Sequence, residues 1–230
     1  MKPVISVIIP VYGEADHINR TIGALKSTVS RMLWAIEIIL VDGDPEKGTL
    51  KAVKDPDIIK TASPAGRGVQ MNHGARAAAS GLLLFLHADT VLPANAFQTI
   101  LQVCRGKNVA GGAFDLSIGD SHPAFRIIEK GATLRSRITR IPFGDQAIFF
   151  KTKCFWALGG YQPIGLMEDV DIMLRLKKKR YKIHFISDPV VTSARRWKKE
   201  GLIYTTIRNW MLQLLFYMGV SPEKLKEYYH

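Results

Sequence analysis

Three short, mostly apolar runs, of which the first two are rich in β-branched residues, constrain the fold of this chain more than any other feature of its sequence. They lie at residues 4–9, 36–41 and 82–86. Each run is continuous rather than alternating with polar residues, which is typical of a strand that is buried on both faces. Segments with apolar residues at helical spacing separate them. Alternation of strands and helices at this pitch predicts a mostly parallel, doubly wound α/β sheet with helices on both faces.

The rest of the chain continues this pattern less regularly. Further strands are predicted at residues 57–61, 109–118, 147–151 and 183–186, and helices at 69–80, 125–138 and 168–179. Residues 202–218 and the segment after Ser221 indicate two more helices, because Ser is a favourable N-cap and the following Pro suits the first helical position. The 230 residues fit one large domain better than two.

Charge and apolar content narrow the possible partners and the location. The net charge of +12 attracts polyanions or anionic surfaces, which include nucleic acid, acidic lipid headgroups and diphosphate-bearing substrates. The N-terminus lacks the long apolar segment of an export signal, and the longest apolar stretch, residues 210–220, is shorter than the ~20 residues that span a bilayer. We therefore expect a cytoplasmic protein. The two cysteines are far apart and indicate neither a disulfide framework nor a zinc site.

Two familiar nucleotide-binding motifs are absent from the sequence. The first predicted strand is followed by residues 10–14 (PVYGE) rather than by a Gly-x-Gly-x-x-Gly turn, which disfavours a nicotinamide cofactor. The lack of a Gly-x-x-x-x-Gly-Lys-Ser/Thr loop argues against P-loop phosphoryl transfer. A flexible cationic turn, Gly66-Arg67-Gly68, does precede a predicted helix and is suited to contact a diphosphate.

Polar side chains at the ends of predicted strands carry the main chemical signal, because ligands of parallel sheets bind at the carboxyl edge. Asp42 ends the second strand, where it either binds a ribose hydroxyl or base edge or forms a turn. His87 and Asp89 follow the strand at residues 82–86 and are spaced as ligands of a divalent cation, with helix capping by Asp89 as the alternative. Oxygen ligands favour Mg2+ or Mn2+, and His87 tilts the choice towards Mn2+.

Two adjacent carboxylates, Glu168 and Asp169, begin a predicted helix. The helix dipole stabilises acidic residues in a first turn, so a purely structural role would explain them. The functional alternative is a general base, because a sugar hydroxyl is a poor nucleophile until a nearby carboxylate accepts its proton.

Five segments occur in a fixed order along residues 4 to 200. They are residues 6–14 (SVIIPVYGE), 41–43 (VDG), 66–74 (GRGVQMNHG), 84–90 (LFLHADT), and 144–146 (GDQ) with 168–169 (ED). Together they resemble the family 2 glycosyltransferases. The resemblance implies a GT-A fold, a sugar donor linked to a nucleoside diphosphate such as UDP or GDP, a divalent metal, and inversion at the anomeric carbon. It places a catalytic domain over residues 1–200, with a C-terminal helical extension at 201–230 packed on or beside it.

The same resemblance implies roles on the donor side of the site. The nucleoside pocket would be lined by Pro10, Tyr12, Glu14 and Asp42. Arg67 and Asn72 would lie near the donor, and Asp89 would be the metal ligand of the Asp-x-Asp motif. His87 stands where that motif has its first Asp, which leaves the contact to the donor sugar open. The Asp-Asp-Gly-Ser turn common after the second strand is replaced by residues 42–45 (DGDP), so the choice between uridine and guanosine stays open.

On the acceptor side, Asp169 with Glu168 beside it takes the position of the base, and Asp145 and Gln146 lie close by. The segments 192–197 (TSARRW) and 217–222 (YMGVSP) resemble a small bacterial subgroup of the family whose acceptors we do not assign. Within the first of these segments, Arg195 and Arg196 would clamp the leaving diphosphate or an acidic acceptor, with solvated surface charge as the alternative.

The basic character of the chain leaves other functions to weigh. Basic residues at 175–182 and 195–199, with an apolar tail that contains Trp210, Leu212, Leu215 and Phe216, would seat the enzyme on the anionic inner leaflet beside a lipid-linked acceptor. A solvated helix face is the simpler explanation of the charge.

A nucleic-acid-binding α/β module is a rival, but the basic stretch has few interleaved aromatics and the carboxylates at the sheet edge would repel phosphates. A metal-dependent nucleotidyltransferase is the second enzymatic rival.

Overall fold

A single eight-stranded sheet organises the part of the chain that the computed structural model describes, residues 2–30 and 34–229. Its strands are β1 (Ile5–Val11), β2 (Ile36–Asp42), β3 (Ile59–Ala62), β4 (Leu82–Phe85), β5 (Thr90–Val91), β6 (Val109–Ile118), β7 (Phe149–Lys151) and β8 (Lys182–Thr192). They lie in the order β3-β2-β1-β4-β7-β6-β8-β5.

Helices cover both faces of this sheet. They are α1 (Ile18–Val29), α2 (Gly48–Ala52), α3 (Arg67–Ala77), α4 (Ala96–Cys104), α5 (Pro123–Thr139), α6 (Thr152–Ala157), α7 (Glu168–Lys178), α8 (Arg195–Glu200), α9 (Leu202–Tyr217) and α10 (Pro222–Glu227). A short 3-10 helix, Gly144–Gln146, precedes β7.

The predicted mostly parallel α/β sheet is confirmed. Strands β3, β2, β1 and β4 pair in parallel, as do β6 and β8. Strand β7 lies antiparallel between β4 and β6, and the short β5 pairs antiparallel with β8. Because β7 runs against its neighbours, the segment that precedes it lies at the same edge as the carboxyl ends of β4 and β8.

The continuous apolar runs predicted as strands are buried on both faces of the sheet. In β1, Val7 and Ile9 pack with α1 in one core cluster, whereas Ile8 packs with Met71 and Ala75 of α3 in the other. All three β1 side chains are fully buried. Alternate residues of one strand therefore supply two separate cores, which explains why the sequence shows no polar alternation there.

A close approach of three strands depends on glycine in β6. A Cβ at Gly111 would lie 2.0 Å from the carbonyl oxygen of Phe149, and one at Gly112 would lie 2.2 Å from that of His184. Real Cβ atoms do not approach backbone that closely, so any other residue here would push β7 or β8 away. Since these two strands lead to and from the site described below, the glycines indirectly set its dimensions.

The C-terminal helices pack against the second core rather than standing apart from it. Leu212 of α9 and Leu225 of α10 are fully buried, and Leu215 and Phe216 pack against the same cluster. The expectation that Leu212, Leu215 and Phe216 face a membrane is therefore wrong, because the helix turns them inward. Among the described residues, no helix is both long and apolar enough to cross a bilayer.

Candidate functional site

A cavity of about 150 Å³ opens at the edge of the sheet where β4 and β8 end and the segment before β7 begins. Half of the residues assigned to the site from sequence line it together. They are Arg67, His87, Asp89, Asp145, Glu168, Asp169 and Arg196. These residues come from α3, the loop after β4, the 3-10 helix, the start of α7 and α8. The sheet brings these segments together at its carboxyl edge, as expected for a fold of this kind.

The carboxylate of Asp169 is held in place by backbone donors. Gly144 donates its N–H to Asp169 Oδ2 at 2.6 Å, and Val170 donates to Oδ1 at 2.7 Å. Met167, just before α7, has φ of 67°, a left-handed conformation that is uncommon for a residue with a side chain. This turn brings the first residues of α7 to the cavity wall, and such backbone strain is frequent at functional sites.

Glu168 is almost completely buried beside the cavity and forms an ion pair with Arg67, with 3.5 Å between Oε1 and Nη1. Burial raises the pKa of the Glu168 carboxyl, while the attraction of Arg67 works against that rise. Glu168 therefore serves to anchor Arg67, whose own side chain stays 40% exposed and reaches the cavity.

Arg67 is the cation that the cavity carboxylates surround. Desolvation lowers the pKa of its guanidinium, but the attraction of nearby carboxylates outweighs it and raises that pKa overall. These carboxylates belong to Glu168, Asp169, Asp145 and Asp89. The four carboxylates outnumber the two arginines that line the cavity, so an anionic ligand there requires an added cation beside Arg67.

His87 is held as a neutral imidazole next to the 3-10 helix. Burial lowers the pKa of His87 well below its ordinary value, and the charges of Arg67 and Arg196 lower it further. Its Nε2 atom is buried and finds no hydrogen-bond partner among the residues that the structure describes. A Cβ at Gly144 would lie 2.9 Å from this atom, so glycine leaves the room that the ring needs. The free ring nitrogen is available to a ligand.

Asp145 lines the cavity with a buried Oδ1 atom that has no hydrogen-bond partner within residues 2–30 and 34–229. Burial raises the pKa of Asp145 to about 6, with Asp169 and Asp89 adding to the rise and Arg135 opposing it. A buried acceptor without a donor is costly in a folded protein, and it is commonly explained by a ligand that supplies the donor.

The raised pKa of Asp145 predicts a stability change that depends on pH. Because the folded-state pKa lies above the ordinary value of 3.8, the folded protein loses stability as pH rises from about 4 to about 6. An Asp145→Asn variant escapes this loss, and we expect it to exceed the wild type by roughly 3 kcal/mol in free energy of unfolding at neutral pH. The two proteins should converge below about pH 4.

Urea unfolding of the ligand-free protein with a chelator present, repeated across this pH range, measures the difference. Asp188→Asn is the matched control, because Asp188 is an exposed carboxylate outside the cavity. A variant of Asp145 that is less stable than the wild type at neutral pH would show that its carboxylate is paired in a way the structure lacks.

Two residues assigned to the site by resemblance have structural hydrogen bonds instead and do not line the cavity. The amide of Asn72 donates to the Tyr161 carbonyl at 2.7 Å and accepts from the Tyr161 N–H at 2.9 Å. Gln146 is fully buried, where it accepts from Ser136 Oγ at 2.7 Å and donates to the Phe114 carbonyl at 2.9 Å. Gln146 thereby fixes the 3-10 helix that presents Asp145.

The residues assigned to a nucleoside pocket lie outside this cavity, at and just beyond the ends of β1 and β2. Pro10 is half-buried and Tyr12 is 60% exposed. Asp42 is fully buried, and its oxygens accept from the backbone N–H groups of Asp44 at 3.0 Å and Leu50 at 3.3 Å. The turn-forming role that the sequence left open for Asp42 is therefore present in the structure.

An ion pair joins the nucleoside side to the C-terminal helices. Arg195 Nη2 lies 3.2 Å from Glu14 Oε1, so Arg195 faces away from the cavity that Arg196 lines. The Arg196 guanidinium lies 4.9 Å from the ring centroid of Tyr229. The two adjacent arginines consequently contact different parts of the molecule.

Three cavity residues that sequence reasoning did not assign come from the C-terminal part of the chain. They are Trp197, Asn209 and Tyr229. The Oδ1 atom of Asn209 is buried and, like that of Asp145, lacks a hydrogen-bond partner among the described residues. Trp197 ends the segment 192–197 quoted above but was given no role there, and no motif marks Asn209 or Tyr229, which reach the site only through the packing of the C-terminal helices on the main sheet.

The side chains at the cavity suit a divalent cation that shares its ligands with an anionic substrate. No group of three acidic, histidine or cysteine side chains with the geometry of a metal site occurs among the described residues. Asp89 and the free Nε2 of His87 both line the cavity, which provides one or two protein ligands. Mg2+ typically binds through one or two carboxylates plus substrate phosphates, so this set fits such an ion.

Comparisons with known proteins bear on the family and the fold of this chain. The family model described as "Glycosyl transferase family 2" matches residues 6–159. No curated protein sequence matches the chain. Among solved structures, the chain is similar to mannosyltransferase PcManGT from Pyrobaculum calidifontis in complex with GDP-Man and Mn2+, with a TM-score of 0.60 and 20% sequence identity. The similarity covers 84% of this chain but only 57% of the length of that protein.

Proposed function

From the premise that this chain belongs to glycosyl transferase family 2, and is a glycosyltransferase with the GT-A fold, we propose that it moves a sugar from a nucleoside diphosphate to an acceptor hydroxyl with inversion. The observation that carries the proposal is the single cavity that Asp89, Asp169 and Arg67 line together. A cation ligand, a candidate base and a fixed positive charge at one place are what this transfer requires. Family membership favours glycosyl transfer over the nucleotidyltransferase and nucleic-acid-binding alternatives.

In this proposal Asp169 accepts the proton of the acceptor hydroxyl. As the hydroxyl oxygen forms a bond to the anomeric carbon, the bond from that carbon to the diphosphate oxygen breaks, and its electron pair leaves with the diphosphate. A single displacement from the opposite face inverts the anomeric centre. The two backbone N–H groups that bind Asp169 support the proposal, because they orient the carboxylate and limit its movement.

Asp89 and His87 would hold Mn2+ or Mg2+ next to the donor diphosphate. Such an ion would neutralise the charge that builds up on the departing diphosphate. Arg67 and Arg196 add positive charge from the protein, and the anchoring of Arg67 by Glu168 keeps it in place at no cost of reorganisation during the reaction. The Mn2+ in the complex of PcManGT supports the choice of a divalent ion.

The nucleoside is proposed to lie over the ends of β1 and β2, with Pro10 and Tyr12 against the base and Glu14 near the ribose. Asp42 would act there indirectly, since both of its oxygens already bind backbone N–H groups of the following turn. Asn72 would likewise support the donor region by fixing the backbone at Tyr161. GDP-Man in the complex of PcManGT makes guanosine the first base to test.

The acceptor is proposed to approach from the side of Asp145, whose unpaired Oδ1 is a ready partner for a hydroxyl. Gln146 would hold Asp145 in position rather than touch the acceptor. The acceptor would be linked to a lipid, and the enzyme would work as a peripheral protein at the inner face of the membrane. Arg195 would act from the donor side, through its ion pair with Glu14.

A thermal-shift panel with UDP, GDP, CMP and their sugars, with and without Mn2+, tests the proposed donor class. Stabilisation follows RT ln(1 + [L]/Kd), so a ligand at about 100 times its Kd adds about 2.7 kcal/mol, a shift of roughly 5–10 °C for a domain of this size. We expect such a shift with one nucleoside diphosphate and only in the presence of the metal.

Proton NMR of the transfer product reports the anomeric configuration, and an inverted centre is expected. Retention of configuration would exclude single displacement. Release of pyrophosphate from a nucleoside triphosphate would instead identify a nucleotidyltransferase.

A further inference from the structure

Helix α9 differs from an ordinary surface helix, because its outward side is apolar and several of its polar residues are buried. Its outward residues are Ile203, Ile207, Trp210, Met211, Leu214 and Met218, the last just past its end, and Ile203 alone is 76% exposed. Its inward residues include Thr205 and Gln213, and Arg208, the one charged residue of the helix, is only 5% exposed. Surface helices of soluble proteins bury their apolar side and expose their polar one, so this arrangement calls for an apolar environment outside the helix.

Helix α5 carries a second apolar stripe. Ile127, Leu134 and Ile138 are spaced by seven and four residues, which puts them on one side of the helix, and each is more than half exposed. Helix α5 buries Phe125 and Ser136 on another side. These three aliphatic residues are thus not needed to hold α5 on the sheet.

The two stripes belong to one surface, because α5 and α9 lie side by side. Gly131 of α5 faces Trp210 of α9, and a Cβ added at Gly131 would lie 3.5 Å from the indole ring. Four residues further on, Arg135 donates to Gln213 Oε1 at 2.9 Å. We name the surface formed by Ile127, Leu134, Ile138 and the outward residues of α9 the α5–α9 face.

Basic residues border the α5–α9 face. Arg126, Lys130 and Arg137 are exposed on α5 next to the apolar stripe, where Arg126 pairs with Glu129 at 2.9 Å and Arg137 with Asp115 at 2.7 Å. Lys198, exposed just before α9, pairs with Asp120 ahead of α5, while Lys177 donates to the Thr139 carbonyl where α5 ends. Cations therefore lie along the flank and near both ends of the face.

We propose that the α5–α9 face docks on an anionic lipid bilayer and lies in the interface without crossing it. An apolar surface that includes Trp210 and has Lys and Arg along its flank and near its ends is complementary to acyl chains and to acidic headgroups at once. A second copy of this chain is a poorer fit, because the same basic border would face itself across the contact and each copy carries a net charge of +12.

If the enzyme docks in this way, its acceptor comes from the membrane. This part of the inference rests on the proposed glycosyl transfer. The inward side of α9 supplies Asn209 to the cavity, and Arg135 of α5 lies over the ring of Phe143, another cavity residue. One helix layer therefore separates the bilayer from the site. An amphiphilic acceptor held in the membrane would reach Asp145 and Asp169 along this layer, whereas a fully soluble acceptor would gain nothing from it.

Vesicle flotation without any nucleotide or acceptor tests the docking separately from catalysis. We expect the wild type to float with vesicles of phosphatidylcholine and phosphatidylglycerol, and an Ile207→Glu/Leu214→Glu variant to lose at least about tenfold in bound fraction. These side chains are 59% and 58% exposed, so the fold should survive, as circular dichroism will verify. Ile59→Glu, at a 40% exposed position of β3, is the matched control and should float like the wild type.

A charge variant tests the headgroup contribution independently. Lys130→Glu should lower binding to anionic vesicles roughly tenfold while leaving the weaker binding to pure phosphatidylcholine unchanged. Wild-type protein that stays at the bottom of the gradient would overturn the proposal. So would light scattering that shows a dimer which the Ile207→Glu/Leu214→Glu variant converts to monomers without any vesicle binding.

The two proposals fail in different ways. Absence of donor binding in the thermal-shift panel would count against glycosyl transfer from a nucleoside diphosphate and would leave the flotation result intact. Loss of flotation with normal donor binding in the double variant is the expected pattern if both proposals are correct.

Discussion

Replacing Asp169 with Asn is expected to lower turnover by about a thousandfold while donor binding stays close to that of the wild type. General base catalysis typically contributes 10²–10⁴-fold, and an amide cannot accept the proton of the acceptor hydroxyl. Asn keeps the size of the side chain and one oxygen for the N–H of Gly144 or Val170, so the local backbone should hold. Steady-state kinetics with saturating donor measures the loss, and calorimetry measures donor affinity.

Asp171→Asn is the matched control on the same helix. Its carboxylate pairs with Arg175 at 2.6 Å and does not line the cavity, so turnover should change less than about threefold while stability falls by at most about 1 kcal/mol. If the Asp169 variant retained most of its turnover, another group would have to accept the proton. Asp145, with its unpaired Oδ1, would then be the first residue to examine.

Replacing Asp89 with Ala is expected to abolish the metal-dependent part of donor binding. Asp89 is the cavity carboxylate placed directly after β4, and its loss leaves His87 as the only assigned protein ligand. We expect the stabilisation by nucleoside diphosphate and Mn2+, roughly 5–10 °C in the wild type, to disappear. Turnover should fall by at least about a hundredfold, since neutralisation of the leaving diphosphate is lost.

A control variant and a chelator test the prediction for Asp89. Asp188→Ala removes an exposed carboxylate outside the cavity and should leave the thermal shift unchanged. A chelator added to the wild type should reproduce the behaviour of the Asp89 variant. If the variant still showed a shift that Mn2+ enhanced, the ion would bind elsewhere and the assignment of Asp89 would be wrong.

The parts of the fold that could be predicted from sequence are those with strong local patterns. Strands β1, β2 and β4 are continuous apolar runs ended by Pro or polar residues, and the structure confirms them within two residues at each end. Helix α4 and strand β5 were not predicted, because they are short and their burial depends on partners distant in sequence. Strand β8 is longer than predicted, since its second half, beyond Ser187, is defined by pairing with β6 and β5 rather than by its own composition.

The same distinction applies to the site. Asp89 and Asp169 were identified because each follows or begins a recognisable element, and the structure brings both to one cavity. The resemblance assigned Asn72 and Gln146 to the site, but it did not predict their hydrogen bonds to backbone, because an amide that binds a ligand and an amide that binds backbone have the same sequence. Tyr229 lies sixty residues beyond Asp169 in sequence and has no local signal, so only tertiary packing reveals its place.

The exposed apolar residues of α9 also bear on how this enzyme should be engineered. Polar substitutions at exposed apolar positions are the usual remedy for aggregation in dilute buffer. If the α5–α9 face docks on a bilayer as proposed, the same remedy at Ile203, Ile207 or Leu214 would remove its apolar contacts with lipid, so a variant chosen for solubility would lose membrane binding. Adding a detergent or a lipid nanodisc would cover these exposed side chains without changing them, so it is preferable to mutation.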